Sequence, residues 1–330
     1  HPARRRAAMA DGGRPAPAAT FVSLVTRVVE LEETATAAAP LREALQSLLS
    51  RFPLCFGYWK RLAELELEYE SEPAAVAVYE RAVVPLAFSV DMWSLYVGHA
   101  VRHWPAQPDR VRALFERAAP LIGSDYLADS FWDQYLAYEE AAAAADPSAD
   151  ASRVGALYVR VLALPLRAAD AYWLRFQRFA AGCGSSAEVL DREREAQVRA
   201  ELAADGAPDT GAEGEDDGAR KMRVLALMDA RFHRHRAAHA QQLGLESAVR
   251  RRFFHIRPVD PADLAAWGRI LAWHKNSALH PNSSADGNGA AHSSCPGHAN
   301  SPAGAPPAAE GAAEVQATEG RADGGGWPSG

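Results

Sequence analysis

Four groups of residues have types and spacings that could do chemistry. His292-x2-Cys295-x2-His298 has the spacing of zinc ligands. A structural zinc site takes four ligands, and this set offers three in a Gly/Ser-rich stretch, so no metal centre is expected there. His233, His235 and His239 share one helical stretch, with the last two four residues apart. The zinc-protease arrangement also needs a glutamate between its histidines, and none is present. Gly182-Cys183-Gly184 is similar to a nucleophile loop, but no histidine is placed beside it by sequence, and two glycines between helices make a turn. No phosphate loop, dinucleotide-binding glycine motif or serine elbow occurs. The chain is therefore expected to have no catalytic residue, no cofactor and no metal.

The fourth group is electrostatic. Between residues 220 and 257, Lys221 and nine arginines oppose only Asp229 and Glu246, a local balance of +8. Arginines clustered on a helix are a footprint of phosphate contact, which makes Arg231, Arg234, Arg236, Arg250, Arg251 and Arg252 candidate contacts to RNA or a ribonucleoprotein. The same run also reads as a solvated helix face paired with the acidic stretch just before it.

These groups must be positioned by helices. Trp59, Trp93, Trp132 and Trp173 recur at intervals of 34, 39 and 41 residues. Each is followed three residues later by a large side chain: Leu62, Tyr96, Tyr135 or Phe176. Some twenty or more residues after the first three tryptophans come Tyr79-x-Arg81, Phe115-x-Arg117 and Tyr158-x-Arg160, and then Pro85, Pro120 and Pro165. A period of this size marks one supersecondary unit repeated along the chain. The apolar spacing inside each unit is helical, so the unit is a pair of antiparallel helices and the fold an all-α solenoid. The tryptophans then fill the space between stacked pairs, with each indole N–H needing an acceptor. The other reading, an aromatic ladder for stacking bases, requires the rings to be exposed. Arg81, Arg117 and Arg160 share a register, and their expected partner is a first-helix glutamate such as Glu66 or Glu139.

The spacing divides the chain as follows. Residues 1–19 are expected to be disordered. Residues 20–203 hold five repeats, at about 20–53, 54–87, 88–122, 123–167 and 168–203. The first is degenerate, with Phe21 in place of tryptophan, and the fifth ends in a helix over 187–203. Residues 204–219 read as an acidic flexible loop that cannot bury enough surface to order itself. Residues 220–275 form the basic helical segment and the start of a further repeat at Trp267. Residues 276–330, rich in Gly, Ala, Ser and Pro, read as a disordered tail. The chain has 330 residues, a formal charge of −7 and three widely separated cysteines. That cysteine pattern argues against a disulfide framework. With no long apolar run, no membrane association is expected. The Arg/Ala/Pro-rich start lacks the apolar core of a secretory signal.

Trp-x2-[Leu/Tyr/Phe], then Tyr/Phe-x-Arg, then Pro resembles the half-a-tetratricopeptide (HAT) repeat. Arg51-Phe-Pro-Leu-Cys-Phe-Gly-Tyr-Trp-Lys60 continuing to Glu66, Ser89-Val-Asp-Met-Trp93, and Arg252-Phe-Phe-His-Ile-Arg-Pro258 with Leu264 and Trp267 resemble the pre-mRNA-processing factor 39 family more narrowly. The resemblance covers residues 20–275. It implies a nuclear, non-catalytic scaffold of pre-mRNA splicing whose partners are U1 small nuclear ribonucleoprotein (snRNP) proteins, with U1 snRNA or pre-mRNA as further contacts. It allows, as alternatives, a scaffold of 3′-end cleavage or ribosome biogenesis, or direct RNA binding through 220–257. The family continues with further repeats where this chain turns to low complexity at about Asn276, so its homodimer, formed through those repeats, is not carried over.

Overall fold

The computed structural model describes residues 17–34, 38–145, 152–204, 215–250 and 258–279. Thirteen helices and no strand occur among them, and none of those helices is long and apolar enough to cross a membrane. The zinc-like set at 292–298, Arg251, Arg252, most of the acidic stretch at 204–219 and the tail beyond Leu279 lie outside the described residues.

Helices α1 (Pro17–Glu33) and α2 (Ala38–Arg51) form the first pair. Next come α3 (Phe56–Tyr69) with α4 (Glu72–Ala82), α5 (Val90–His103) with α6 (Pro108–Ile122), and α7 (Asp129–Ala145) with α8 (Ser152–Val161). The first helices of successive pairs pack side by side, α5 lying against both α3 and α7. Local chemistry sets several boundaries. Ser71 and Ser89 cap α4 and α5 by accepting hydrogen bonds from the Ala74 and Met92 amides. Pro73 sits in the first turn of α4, where its missing N–H costs nothing.

One continuous core runs from Val28 through Phe232. The degenerate first repeat closes with an edge-to-face contact between Phe21 and Phe52, centroids 5.1 Å apart. Tyr79 stacks on Tyr96 of the next pair, and Phe115 stacks on Tyr135, at 5.1 and 4.3 Å. Second-helix aromatics therefore reach forward to the ring three residues after the next tryptophan.

Several boundaries depart from expectation. Helix α1 begins at Pro17, inside the stretch expected to be disordered, and the last helix runs on to Leu279. Pro120 lies within α6 and does not end it. It sits in the final turn, where only one backbone bond is forfeited. Pro85 follows the stop of α4 by three residues. The helix expected over 187–203 is broken into α10 (Ser186–Val189) and α11 (Arg192–Ala203), because Asp191 caps a new start with its carboxylate on the Arg194 amide.

The fifth unit differs most. Trp173 on α9 (Ala169–Gly182) stacks on Phe232 of α12 (Asp217–Ser247), 5.0 Å away and nearly parallel. Thus α12, and not α11, supplies the aromatic partner of the fifth tryptophan, with α10 and α11 inserted between. Gly155 makes room for the insertion: a Cβ there would meet the Val189 carbonyl at 1.9 Å. The final helix, α13 (Pro261–Leu279), forms a small separate core in which Ala266 and Ile270 meet Val249, with Trp267 half-buried against them.

Candidate interaction surface

The repeat residues build a cassette inside the stack. The indoles of Trp59, Trp93 and Trp132 donate to the carbonyls of Pro53, Ala87 and Gly123, each at 2.8 Å. Each acceptor lies in the loop just before the tryptophan's own helix, so the ring also pins that loop. Gly123 is required there, since a Cβ would stand 2.8 Å from the Trp132 ring and 2.4 Å from the Ala119 carbonyl. Over the three rings lie the guanidiniums of Arg81, Arg117 and Arg160, at 5.6, 5.2 and 5.3 Å, within the range of cation–π attraction.

The expected glutamate partners are corrected by the geometry. Arg117 reaches Glu80 and Arg160 reaches Glu116, both at 2.8 Å. These are second-helix residues of the preceding repeat. The same carboxylates accept the Tyr96 and Tyr135 hydroxyls at 2.6 Å. Burial would raise Glu116, but the hydrogen bonds from Tyr135 and Arg160 outweigh it and hold the carboxyl below its usual range. Burial and the carboxylate bonds push both tyrosines well above the ordinary phenol range.

The cassette changes as a set. At the first junction Gln46 stands in the glutamate register and Leu62 in the tyrosine register, and among the described residues Arg81 keeps only its ring. At the fourth, Val159 and Phe176 occupy those registers. Glu66 and Glu139 serve a different link: Arg42 bonds Glu66 at 2.7 Å, and Arg112 holds Glu139 through two nitrogens. At the second and fourth junctions the corresponding pairs are Val76 with Ala100 and Gly155 with Ala180. A lone buried charge would be costly, so both partners become apolar together.

Exposed ion pairs of this kind contribute little. A double-mutant cycle on Glu80 and Arg117, both about half exposed, is expected to give a coupling of about 0.2–1 kcal/mol. Chemical denaturation of the four proteins measures it.

The basic segment is turned inward over much of its length. Arg220 and Arg223 converge on Glu195 of α11, which is 2% exposed. Arg223 also pairs with Glu215, and Lys221 donates to the Cys183 carbonyl at 2.7 Å. Arg231, itself buried, bonds Glu201 and the Val159 carbonyl. Arg234 donates to the Glu201 carbonyl, and Arg236 grips Asp170 through two nitrogens. Arg250 is largely exposed beside Asp263 and Asp260. Burial would raise Glu195, but the bonds from Arg220 and Arg223 lower it. Glu201 is lowered in the same way by Arg231 and His235. Sequence reasoning missed these carboxylates. The available signal was the Glu-rich run 193–201 immediately before an Arg-rich helix.

The remaining candidates disperse. His235 Nε2 lies 2.7 Å from Glu201, His239 bonds the Ala163 carbonyl, and His233 faces Asp229. Cys183 donates its thiol to the Phe179 carbonyl. Burial and Glu188 raise that thiol, against its use as a nucleophile.

Buried His99 on α5 stacks on His103, and burial, that neighbour's charge and Arg102 lower its pKa against the pull of Glu72. A histidine lowered in the folded state contributes stability that is full above its unfolded value of about 6.5 and is lost as pH falls. His235 is lowered too, chiefly by burial. The melting temperature is expected to drop between pH 7.5 and 5.5, and by less in His99→Gln. Calorimetry at both values checks this.

Comparison with known proteins places these repeats. The profile of the PRP39 N-terminal HAT repeat matches residues 15–178. The chain is 28% identical over 241 residues to Pre-mRNA-processing factor 39 of Schizosaccharomyces pombe, covering 70% of this chain and 38% of that protein. Against Pre-mRNA-processing factor 39 of Homo sapiens it is 26% identical over 255 residues, covering 70% and 37%. It is also 24% identical over 142 residues to Cleavage stimulation factor subunit 77 of Arabidopsis thaliana, covering 41% and 19%. The chain thus spans under two-fifths of the length of these relatives.

Proposed function

Because the chain belongs to the pre-mRNA-processing factor 39 family through its N-terminal HAT repeats, we propose that it is a non-catalytic scaffold of pre-mRNA splicing. In this reading it acts in the nucleus with the U1 snRNP and supports recognition of the 5′ splice site. The observation that carries the reading is the family match across the region where the cross-repeat cassette is built. The cassette explains what such a region contributes physically. Its polar groups are used up in joining one helix pair to the next, which leaves a stiff array whose outer faces meet partners.

The chemistry supports a binding role. The reactive types are spent internally: the Cys183 thiol is raised, and the histidines of α12 face carboxylates or a carbonyl. Extended complementary surfaces are how repeat arrays work.

A 3′-end cleavage scaffold is the second reading, supported by the shorter match to a cleavage stimulation factor subunit. Direct RNA binding by α12 has less support, because Arg220, Arg223, Arg231 and Arg236 already hold carboxylates. Affinity purification of the tagged chain from nuclear extract, followed by RNA sequencing and mass spectrometry, separates these readings. Enrichment of U1 snRNA with its proteins is the expected result. Cleavage-factor subunits without U1 would favour the second reading, and protein-free RNA would favour the third.

A further inference from the structure

A groove crosses the N-terminal ends of α3, α5 and α7. Its deeper part, about 650 Å³, is lined by Leu54, Tyr58, Phe88, Val90 and Leu127 and holds the carboxylates of Asp91 and Asp125. A shallower extension of about 400 Å³ shares Phe56 and Asp91 and continues past Ser94 and Gln134 to Arg102.

Two features of the groove are left open: an apolar rim, and two carboxylates without a cation, of which Asp125 accepts only the Leu127 amide among the described residues. Phe88 is 76% exposed and Leu54 40%, although every other aromatic of repeats two to four except Tyr69 is at least half-buried. Asp91 and Asp125 pair with no cation among the described residues, in a chain whose other carboxylates largely do. Burial of the Asp91 carboxyl against the groove wall, with Asp125 close by, raises it above the usual range. Two like charges beside an apolar hollow favour a ligand that brings both a cation and a hydrophobic side chain. They oppose a phosphate backbone.

We propose that this groove receives an extended segment of a protein partner in which an aromatic or branched aliphatic residue is flanked by lysine or arginine. The apolar residue fills the hollow between Leu54 and Phe88. The basic residue meets Asp91 and Asp125. Beyond them, Arg102 and the second N–H of the Gln134 amide, whose nitrogen already donates to the Ser130 carbonyl, offer hydrogen bonds to peptide carbonyls. Three side-by-side helices span about 20 Å, which an extended chain covers in about six residues. The inference rests on the scaffold reading and names the kind of partner such a scaffold would hold.

The test is selection of a random 12-residue peptide library on the purified full chain, followed by titration of the fluorescently labelled consensus peptide. Enrichment of an aromatic or branched aliphatic residue next to lysine or arginine is expected. Phe88→Ser with Leu54→Ser should weaken that peptide about tenfold, roughly the loss of one well-buried contact. Asp91→Asn with Asp125→Asn should weaken it a few-fold and flatten its salt dependence. Phe88 and Leu54 are exposed, and an asparagine keeps an oxygen to accept the Leu127 amide, so a melting temperature close to the parent's is expected and verifies that the fold is intact. No enrichment, an acidic consensus, equal binding by the variants, or displacement by single-stranded RNA would each overturn the proposal. So would self-association in the ultracentrifuge that the Phe88→Ser/Leu54→Ser variant abolishes, which would assign the groove to a second copy. If U1 material co-purifies but no peptide is selected, the groove fails and the scaffold reading stands. If peptides are selected but no splicing particle is recovered, the reverse holds.

Discussion

Replacing Trp132 with alanine is expected to destabilise the protein by about 3–5 kcal/mol, the range for removing a fully buried aromatic. The ring is 0% exposed and packs against Phe131 and Tyr135. Three further losses accompany the cavity. The Gly123 carbonyl loses its indole donor, the turn after α6 loses its pin, and Arg160 loses the ring it covers. Arg160 keeps Glu116, so the junction loosens and does not come apart. Trp173→Ala should cost less, because that ring, although it stacks on both Phe176 and Phe232, is only half-buried and leaves a smaller cavity. Urea unfolding of the two variants beside the parent measures the difference. Equal costs would contradict the ranking.

The second large effect is expected at Glu195. Its carboxylate is almost fully enclosed and accepts from Arg199, Arg220 and Arg223. Removing one partner of a buried ion cluster takes from the others the carboxylate that offsets their charge, at a cost of about 3–5 kcal/mol. Glu195→Ala should therefore release the start of α12 from α11. Because Arg220 still bonds Ser186 and the Leu190 carbonyl, and Arg223 still bonds Glu215, the lower end of that range is expected. Hydrogen exchange across 192–230 should rise, while α3 through α7 keep their protection. The depressed Glu195 and Glu201 contribute stability that is present above the ordinary glutamate range and lost as pH falls below it. The parent should consequently show exchange at 192–230 rising in acid before the tryptophan repeats open.

Much of this arrangement can be read from residue order. The tryptophan stride marks the helix pairs because each ring needs the same gap between them. The aromatic register two residues before each arginine marks the second helix. What the order of residues does not display is which carboxylate an arginine will choose. Arg117 could reach back one repeat or across to its own first helix, and the superhelical offset that decides for Glu80 is a tertiary quantity. The acidic stretch before α12 does supply Glu215 to Arg223, but for the same reason the partners of Arg220 and Arg231 are not legible. Their counter-charges lie on α11, and the break at Asp191 that turns α11 against them shows only as one capping aspartate. The groove at Leu54 and Phe88 carried no sequence signal, since an apolar residue in a loop between helices has the same spelling whether it is covered or open.

The claim on which the account stands is that the repeating indoles are interior wedges. It is tested most directly by fluorescence of a variant in which Trp173, Trp267, Trp273 and Trp327 are changed to phenylalanine, leaving Trp59, Trp93, Trp104 and Trp132. Those four rings are all buried, so blue-shifted emission and protection from acrylamide quenching are predicted. Water-like emission quenched as freely as that of a short peptide would place the rings on the surface. That result would contradict the solenoid and return them to the role of a base-stacking ladder.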